Sequence, residues 1–327
     1  MYLIRVSSKV KLGKGHINRC KLIRNNFDKE TIWFVDKGTK KLLFQQFEDK
    51  VVEEKSSYSI NNMIRSIKSS KVKAVIIDSP SISLNIVRKL SKLVPTVIIM
   101  DEVKKINNVL TICLHPFKKT ENNILSGITY MPISKKKITK KLTSGHQNIL
   151  ISLGSIDRKN ITKKIIIILN EIMESKKIEN FNIKIHVVIG SLSKNISSLK
   201  KLIERNKNYK LYTNLSNLNE LYKISDFAIG APGFSQIERL AYNIPTILVS
   251  QNKSHDILLK YWKRTGCAIT VNNIEKNLKS KIIKMVTSND LRKKVNRKIL
   301  ATFDSNGSKR IFYKINAFIK NHKPQKV

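Results

Sequence analysis

The sequence predicts an α/β protein with two domains, each built on a parallel sheet. Short apolar runs alternate with amphipathic stretches along both halves of the chain, which is the pattern of repeated strand–helix–strand units. The chain has 327 residues, more than one hydrophobic core usually organises. We expect one domain at residues 1–143 and a second at 144–327, with a cleft between them. The C-terminal helices are candidates for packing back on the first domain.

The first half of the chain alternates between the two patterns in a regular order. Apolar runs predict strands and helical periodicity predicts helices. The strands are Tyr2–Arg5, Thr31–Val35, Val72–Asp78 and Pro95–Met100, and the helices are Ser59–Ile67 and Leu84–Leu93. From Lys118 to Gly145 both patterns fade into a segment rich in Lys, Ser, Thr and Gly, which is the linker candidate.

The second half repeats this alternation. Its predicted strands are Asn148–Leu153, Ile183–Gly190, Lys210–Thr213, Phe227–Gly230 and Thr246–Val249, and its predicted helices are Lys159–Glu174 and Asn217–Ile224. A last helical region, Ile274–Lys320, carries two expected breaks, one near Ser288–Asn289 and one near Ser305–Gly307.

The first strand passes into a helix through a glycine-rich turn. Gly13 and Gly15 allow positive φ and a close approach of the backbone to a ligand, and the following helix directs its first N–H groups to the same place. The spacing matches neither the dinucleotide-binding fingerprint, because Asn18 stands at the third glycine position, nor the P-loop. Two interpretations remain: a ligand-binding turn in which His16 moves a proton, or a tight corner with His16 partly exposed.

Acidic residues follow two of the predicted strands. Asp78 ends one strand, and Asp101 and Glu102 follow the next. Ligands of open parallel sheets bind outside the carboxyl ends of the strands, so we expect these acids to share a crevice with the Gly13 turn. The alternative is that they cap the helix or turn that comes after them.

A second glycine turn leads from a strand into a helix at Gly233. The N–H groups near Phe234 and Ser235 suit a diphosphate without a metal, and the Ser235 hydroxyl adds a donor. Glu238, one turn into the helix, can accept hydrogen bonds from both hydroxyls of a ribose. The alternative is a surface glutamate that is favoured by the helix dipole and helped by Arg239.

Composition excludes several classes of protein. Lys and Arg number 63 against 23 Asp and Glu, a formal net charge of +40. The lysines are scattered among many Ile and Asn, without a basic tail or an aromatic stripe, so we expect no nucleic-acid partner. The charge still favours anionic substrates.

The 3 cysteines lie far apart and indicate neither a disulfide nor a zinc site. This use of cysteine fits a reducing cytoplasm, where we expect the protein to be. No apolar run approaches the length of a membrane span, so we expect no membrane insertion.

Several of these stretches resemble one family. Two Rossmann-like halves of this kind are similar to the GT-B superfamily. The run Gly-x-Gly-His-x-x-Arg-Cys at residues 13–20 resembles the UDP-2,4-diacetamido-2,4,6-trideoxy-β-L-altropyranose hydrolases of pseudaminic acid biosynthesis, whose relatives include spore-coat polysaccharide proteins. The segment Ile149–Asp157 is similar to the strand and glycine turn that open the family's second domain, and Leu125–Gly127 is similar to its inter-domain segment.

The resemblance implies a GT-B-like fold and an enzyme that hydrolyses UDP from C1 of a UDP-linked 2,4-diacetamido-2,4,6-trideoxy hexose, with no metal and no cofactor. His16 would act as the general base on the attacking water. The expected partner is the UDP-sugar, and a monomer is favoured. The substrate-binding residues, combined with those singled out above, are Gly13, Gly15, Arg19, Asp101, Gly154, Gly233, Phe234, Ser235, Glu238, Ser254 and His255.

The chain departs from the family's pattern in three loops that are expected to face the ligand. It has Ser7-Ser8 where the family has Asp followed by Ala or Ser, Pro232-Gly233-Phe234 in place of a Gly-Gly-Ser turn, and Ser254-His255 in place of an Asn-Gln pair. The sequence therefore leaves open that the substrate carries a different sugar. Two other function classes also remain: a GT-B glycosyltransferase that uses a UDP-sugar donor, and a non-catalytic basic binding protein.

Overall fold

The computed structural model describes residues 1–7, 15–38, 49–54, 60–80, 82–100, 106–114, 122–136, 146–154, 157, 159–175, 178–190, 193, 196–204, 206–213, 215 and 217–322. The chain forms two compact units. The first comprises Met1–Ser134 and Ser305–Val327, and the second comprises Lys135–Asp304. The expected domain boundary, between residues 143 and 144, lies outside the described residues.

The first unit is built on a parallel sheet of seven strands. They are β1 (Tyr2–Val6), β2 (Thr31–Asp36), β3 (Lys50–Glu54), β4 (Ala74–Asp78), β5 (Thr96–Met100), β6 (Val109–Cys113) and β7 (Ile124–Ser126). Their order is β3-β2-β1-β4-β5-β6-β7. Three helices of this unit are α1 (Gly15–Arg24), α2 (Ile60–Ser69) and α3 (Leu84–Leu93). β1, β2 and β4 are buried along their whole length, as expected for parallel strands with both faces covered.

The second unit has a parallel sheet of six strands. They are β8 (His146–Ser152), β9 (Asn182–Ile189), β10 (Tyr209–Thr213), β11 (Phe227–Gly230), β12 (Thr246–Val249) and β13 (Ile269–Val271), in the order β10-β9-β8-β11-β12-β13. The helices are α4 (Ile161–Met173), α5 (Ile196–Ile203), α6 (Asn219–Ile224), α7 (Phe234–Ala241), α8 (Lys253–Thr265), α9 (Ile274–Thr287) and α10 (Asn289–Thr302). One face of the sheet shares a core of Ile, Leu and Val side chains with α4, α5 and α9.

The last helix, α11 (Gly307–Asn321), belongs to the first unit. Tyr2 donates its hydroxyl to Asn316 Oδ1 at 3.2 Å, which joins α11 to the first strand. A Cβ atom on Gly307 would overlap the backbone of Met131, so this contact requires glycine. Within the described part of the chain, no helix combines the length and the apolar character needed to cross a membrane.

Most of the predicted elements are confirmed, including both breaks in the last helical region, where α9, α10 and α11 are separate helices. The prediction that the whole segment Lys118–Gly145 is a linker is wrong, because β7 lies inside it and pairs with β6. Strands β3, β6 and β13 and helices α5 and α8 were not predicted. β7 and β13 have only 3 residues each, which is too short for a periodic pattern to stand out.

Candidate functional site

In both sheets the strand order reverses at the centre. The first strand of each unit, β1 or β8, lies between the second and the fourth strand of the same unit. Connections leave such a point on opposite sides of the sheet and open a crevice at the carboxyl ends of the central strands. Val6 pairs with Asp78 at this point in the first unit, and Ser152 pairs with Gly230 in the second. Each unit therefore has one favoured place for a ligand.

In the first unit, His16 and Arg19 converge on Asp78. α1 begins at Gly15, so these two side chains, three positions apart, lie on the same face of its first turns. Arg19 donates to both carboxylate oxygens, from Nε to Oδ2 at 2.5 Å and from Nη2 to Oδ1 at 2.6 Å. His16 Nδ1 lies 2.7 Å from Asp78 Oδ1 and 2.7 Å from Arg19 Nη2. The end of β4 and the start of α1 are thus joined by a charged cluster.

Asp78 is fully buried in this cluster. Burial alone would raise its pKa, but the hydrogen bonds from His16 and Arg19 lower the pKa below the ordinary carboxyl value. The interpretation of Asp78 as a helix cap is wrong, because α3 is capped by Ser83, whose side chain accepts from the N–H of Ile86. Asp78 lies beside the start of α1, whereas the expected crevice with the Gly13 turn involves residues outside the described ones and stays a prediction.

Other predicted residues near this point are only partly described. Gly13, Asp101 and Glu102 lie outside the described residues. A Cβ atom on Gly15 would meet no atom within 4 Å, so packing does not require a glycine there. Ser7 is buried and donates its hydroxyl to Asp36 Oδ2 at 3.1 Å. This hydroxyl is therefore engaged by the protein itself.

In the second unit, the turn that follows β11 is held from the inside. Arg239 Nη2 donates to the carbonyl of Ala231 at 2.6 Å, and the Trp262 indole N–H donates to the carbonyl of Pro232 at 2.9 Å. Both donors are fully buried. A trans peptide points its N–H away from its C=O, and the described chain contains no cis peptide. The inward carbonyl of Pro232 therefore turns the N–H of Gly233 outward.

α7 begins directly after this turn, and its N-cap is Gly233. No side chain caps the helix there. Among the described residues, the N–H groups of Gly233 and Ser235 have no hydrogen-bond partner. Phe234 and Ser235 are the first two residues of α7, and both are partly buried. An uncapped helix N-terminus with outward N–H groups suits an anion.

The other helix N-terminus near this point is already occupied. β8 ends at Ser152 and is followed by Gly154, which is exposed and has φ +91°, a conformation that favours glycine. At the start of α4, Asp157 accepts hydrogen bonds from the N–H groups of Ile161 at 2.9 Å and Thr162 at 2.8 Å. Because a carboxylate fills the N-terminus of α4, α7 is the better of the two helices for an anionic ligand.

Glu238 lies one turn inside α7 and is partly buried. The hydroxyl of Tyr222, on α6, donates to Glu238 Oε2 at 3.1 Å. Burial raises the pKa of Glu238, while the Tyr222 hydrogen bond and the charge of Arg239 act in the opposite direction. The alternative of a surface glutamate is wrong, because Glu238 is partly buried and bonded to Tyr222, and Arg239 beside it points inward to Ala231 and Gln236.

Ser254 and His255 lie in the first turn of α8, so the expectation that they belong to a loop is wrong. Asn252 is the N-cap of α8 and accepts the N–H of His255 at 2.9 Å. His255 Nδ1 in turn accepts the N–H of Gln251 at 3.3 Å. Ser254 is exposed. The residue that reaches the end of β8 is Gln251, which donates to the carbonyl of Leu153 at 2.7 Å.

No protein-family model matches the chain. Two curated proteins are similar to it. An uncharacterized protein of Methanocaldococcus jannaschii is 26% identical over 270 residues, which is 75% of this chain and 54% of that protein. The spore coat polysaccharide biosynthesis protein SpsG of Bacillus subtilis is 26% identical over 123 residues, 38% of this chain and 35% of that protein. The chain thus spans about half the length of the first relative and about a third of the second.

Solved structures match over nearly the whole chain. A glycosyltransferase from Rickettsia africae has a TM-score of 0.71 at 16% identity, covering 98% of this chain and 99% of that one. The S. aureus MnaA–UDP co-structure has a TM-score of 0.68 at 13% identity, covering 100% of this chain and 99% of that one. A putative UDP-N-acetylglucosamine 2-epimerase from Listeria monocytogenes has 0.69 at 10% identity, covering 99% and 97%. The chain has the GT-B fold. At these identities the likeness describes the architecture of the GT-B units and not their chemistry.

Several residues that build the candidate site of the second unit were not singled out from the sequence. Tyr222 and Trp262 contact the site residues across 16 and 30 positions of sequence. Both are aromatic residues in amphipathic helices, which is also what ordinary core residues look like. Gly230 could have been found from the sequence, because a glycine at the end of an apolar strand indicates a close approach of another backbone or of a ligand.

Proposed function

We propose that this protein is an enzyme that acts on nucleotide-linked sugars, and that it hydrolyses a UDP-sugar to UDP and the free sugar. The observation that carries the proposal is the contact of 2.7 Å between His16 Nδ1 and buried Asp78 at the strand reversal of the first unit. A histidine held by a carboxylate at the ligand-binding edge of a sheet is suited to general base catalysis.

The second unit is the proposed site for UDP. The outward N–H groups of Gly233 and Ser235 would donate to the diphosphate, with the N-terminus of α7 adding positive potential. Glu238 uses Oε2 to accept from Tyr222, so Oε1 is the oxygen that would accept from the ribose hydroxyls. Relatives of the same fold support this assignment, because one is a co-structure with UDP and one is named as an epimerase of a UDP-sugar.

In the first unit, the protonation of His16 is assigned from its partners. A proton on Nδ1 lets the ring donate to the Asp78 carboxylate, while Arg19 Nη2, which also lies 2.7 Å from Nδ1, donates to Asp78 Oδ1 at 2.6 Å. This tautomer leaves the Nε2 lone pair as the base. Arg19 holds Asp78 in a bidentate pair and so keeps the carboxylate in place. In the proposed reaction, Nε2 takes a proton from water while the water oxygen bonds to C1. The bond from C1 to UDP breaks, and its electron pair leaves on the β-phosphate oxygen.

The substrate class comes from the resemblance and from the charge of the chain. The Gly-x-Gly-His-x-x-Arg-Cys run implies a UDP-linked 2,4-diacetamido-2,4,6-trideoxy hexose, and a net charge of +40 favours a nucleotide diphosphate by long-range attraction. UDP is a good leaving group, so the protein mainly has to position water and stabilise the phosphate charge that develops.

The test is a pair of matched histidine variants. His16→Asn should lower the rate of UDP release about 100-fold or more, while its affinity for UDP stays unchanged. His146→Asn is the control, because His146 is exposed at the start of β8, and it should keep full activity. Full turnover by His16→Asn would remove His16 from the proposed role.

The second candidate is a GT-B glycosyltransferase, which is favoured by the match to the glycosyltransferase of Rickettsia africae. The protein should then release little UDP when it is given a UDP-sugar and water alone, and release should begin when an acceptor is added. The hydrolase needs no acceptor. Measuring free UDP and free sugar in the absence of an acceptor therefore separates the two candidates.

A further inference from the structure

Arg239 is the one buried arginine of the described chain that has no carboxylate partner. Arg5, Arg19 and Arg24 are each paired with an aspartate. Arg239, with 0% of its surface exposed, instead donates from Nε to Gln236 Oε1 at 3.0 Å and from Nη2 to the carbonyl of Ala231 at 2.6 Å. Its Nη1 has no partner among the described residues.

The guanidinium lies at the strand reversal of the second sheet. A Cβ atom on Gly230 would stand 2.7 Å from Arg239 Nη1 and 2.7 Å from the carbonyl oxygen of Ser152. Gly230 and Ser152 are the paired last residues of β11 and β8. The unpartnered nitrogen is therefore packed against the end of β11, one residue before the turn that presents the N–H of Gly233.

We propose that Arg239 is a positioning residue for a phosphate group bound at the N-terminus of α7, and this inference rests on the proposed function. A buried cation is normally neutralised by a carboxylate or another anion. A guanidinium keeps its proton at neutral pH even when burial lowers its pKa. Arg239 has no ion-pair partner among the described residues and lies beneath the turn whose N–H groups face outward at the N-terminus of α7, so a phosphate bound there is the anion that balances its charge.

Arg239 also sets the shape of the turn. Its hydrogen bond to Ala231, together with the one from Trp262 to Pro232, fixes two consecutive carbonyls inward. The backbone donors that face the phosphate are therefore held in place before the ligand binds. The same side chain thus supplies both charge and backbone geometry to the anion.

The experiment compares how strongly UDP and uridine bind, measured by calorimetry. Uridine carries no phosphate. The dissociation constant of uridine divided by that of UDP therefore isolates the contribution of the phosphates. Arg239→Met and Arg239→Gln should reduce this ratio at least about tenfold, while the affinity for uridine changes little. Arg239→Lys keeps the charge, so this variant should keep most of the preference for UDP over uridine.

The control is Arg24→Met. Arg24 is also buried but is paired with Asp49 in the first unit, so its loss should lower stability and leave the ratio unchanged. A general loss of structure on replacing Arg239 would weaken the binding of UDP and of uridine equally. If the neutral variants do not fold, Arg239→Lys decides between the outcomes. A lysine variant that binds UDP no more tightly than uridine would overturn a role for the charge.

The two proposals fail in different ways. If the wild-type protein binds UDP no more tightly than uridine, the proposed UDP site is wrong. If the wild-type protein prefers UDP strongly and the neutral Arg239 variants keep that preference, the nucleotide site stands and the inference about Arg239 is wrong. Inorganic pyrophosphate should compete with UDP in the wild-type protein, and an absence of competition would also count against the anion site.

Discussion

Gly230 and Gly233 lie on either side of the same turn, and alanine should lower the stability of the protein at the first position but not at the second. At Gly230, a Cβ atom would stand 2.7 Å from the backbone oxygen of Ser152 and 2.7 Å from Arg239 Nη1, distances that real Cβ atoms essentially never show. The oxygen belongs to a paired neighbouring strand, and the guanidinium is held by Ala231. Neither atom can move without disturbing the end of the sheet.

Overpacking of this kind costs about 1–3 kcal/mol. For a unit with the size of the second one, each kcal/mol lowers the melting temperature by about 2–4 °C. We therefore expect Gly230→Ala to melt about 2–12 °C below the wild-type protein, and to lose affinity for UDP because Arg239 is displaced.

Gly233 is the matched control for stability. Its φ is −75°, which any residue adopts, and a Cβ atom there would meet nothing within 4 Å. Gly233→Ala should therefore melt within about 1 °C of the wild-type protein. The added methyl group projects from the turn that is proposed to bind the diphosphate, so the affinity for UDP should fall.

Differential scanning calorimetry and titration with UDP measure both effects on the same samples. If Gly230→Ala is as stable as the wild-type protein, the guanidinium is not packed against the end of β11, and the reasoning about Arg239 fails with it. If Gly233→Ala binds UDP normally, the diphosphate is not bound at the N-terminus of α7.

Two further predictions concern the first unit. Gly307→Ala should destabilise the protein, because the new methyl group would overlap the backbone of Met131, and limited proteolysis should then release the C-terminal helix; resistance equal to that of the wild-type protein would refute this. Burial alone would raise the pKa of Asp49, but hydrogen bonds from Arg24, Trp33 and Thr31 lower it, so the unfolded state binds the proton first as the pH falls and stability is lost below about pH 4. Asp49→Asn should flatten the dependence of the urea midpoint on pH in that range, and an unchanged acid profile would contradict the assignment.

Local patterns were enough to predict the alternation of strands and helices. Helix Leu84–Leu93 and strand Thr246–Val249 have the predicted bounds, because their apolar periodicity is carried by neighbouring residues. The glycine turn at Gly233 was found for the same reason, since it lies between a strand and a helix with clear patterns. Short or edge strands such as β3 and β13 were missed because few of their residues are buried.

Contacts between distant segments could not be predicted in this way. The neighbours of Asp78 could not be predicted from the sequence, and the pairing of β1 with β4 sets them by bringing the end of β4 beside α1. The inward direction of Arg239 was also hidden, because an arginine that follows a glutamate on a helix is usually exposed. Its burial depends on how α7 packs against the turn and the end of β11.

By itself, the sequence determined that this protein has two parallel-sheet units, and it identified a histidine and a glycine turn at the ends of strands. Those properties follow from the period of apolar residues and from the backbone freedom of glycine, which are local. Only the tertiary structure decided that Asp78 and Arg19 hold His16, and that Arg239 lies buried beneath the turn at Gly233. These contacts depend on the order of the strands, which sets which strand ends become neighbours.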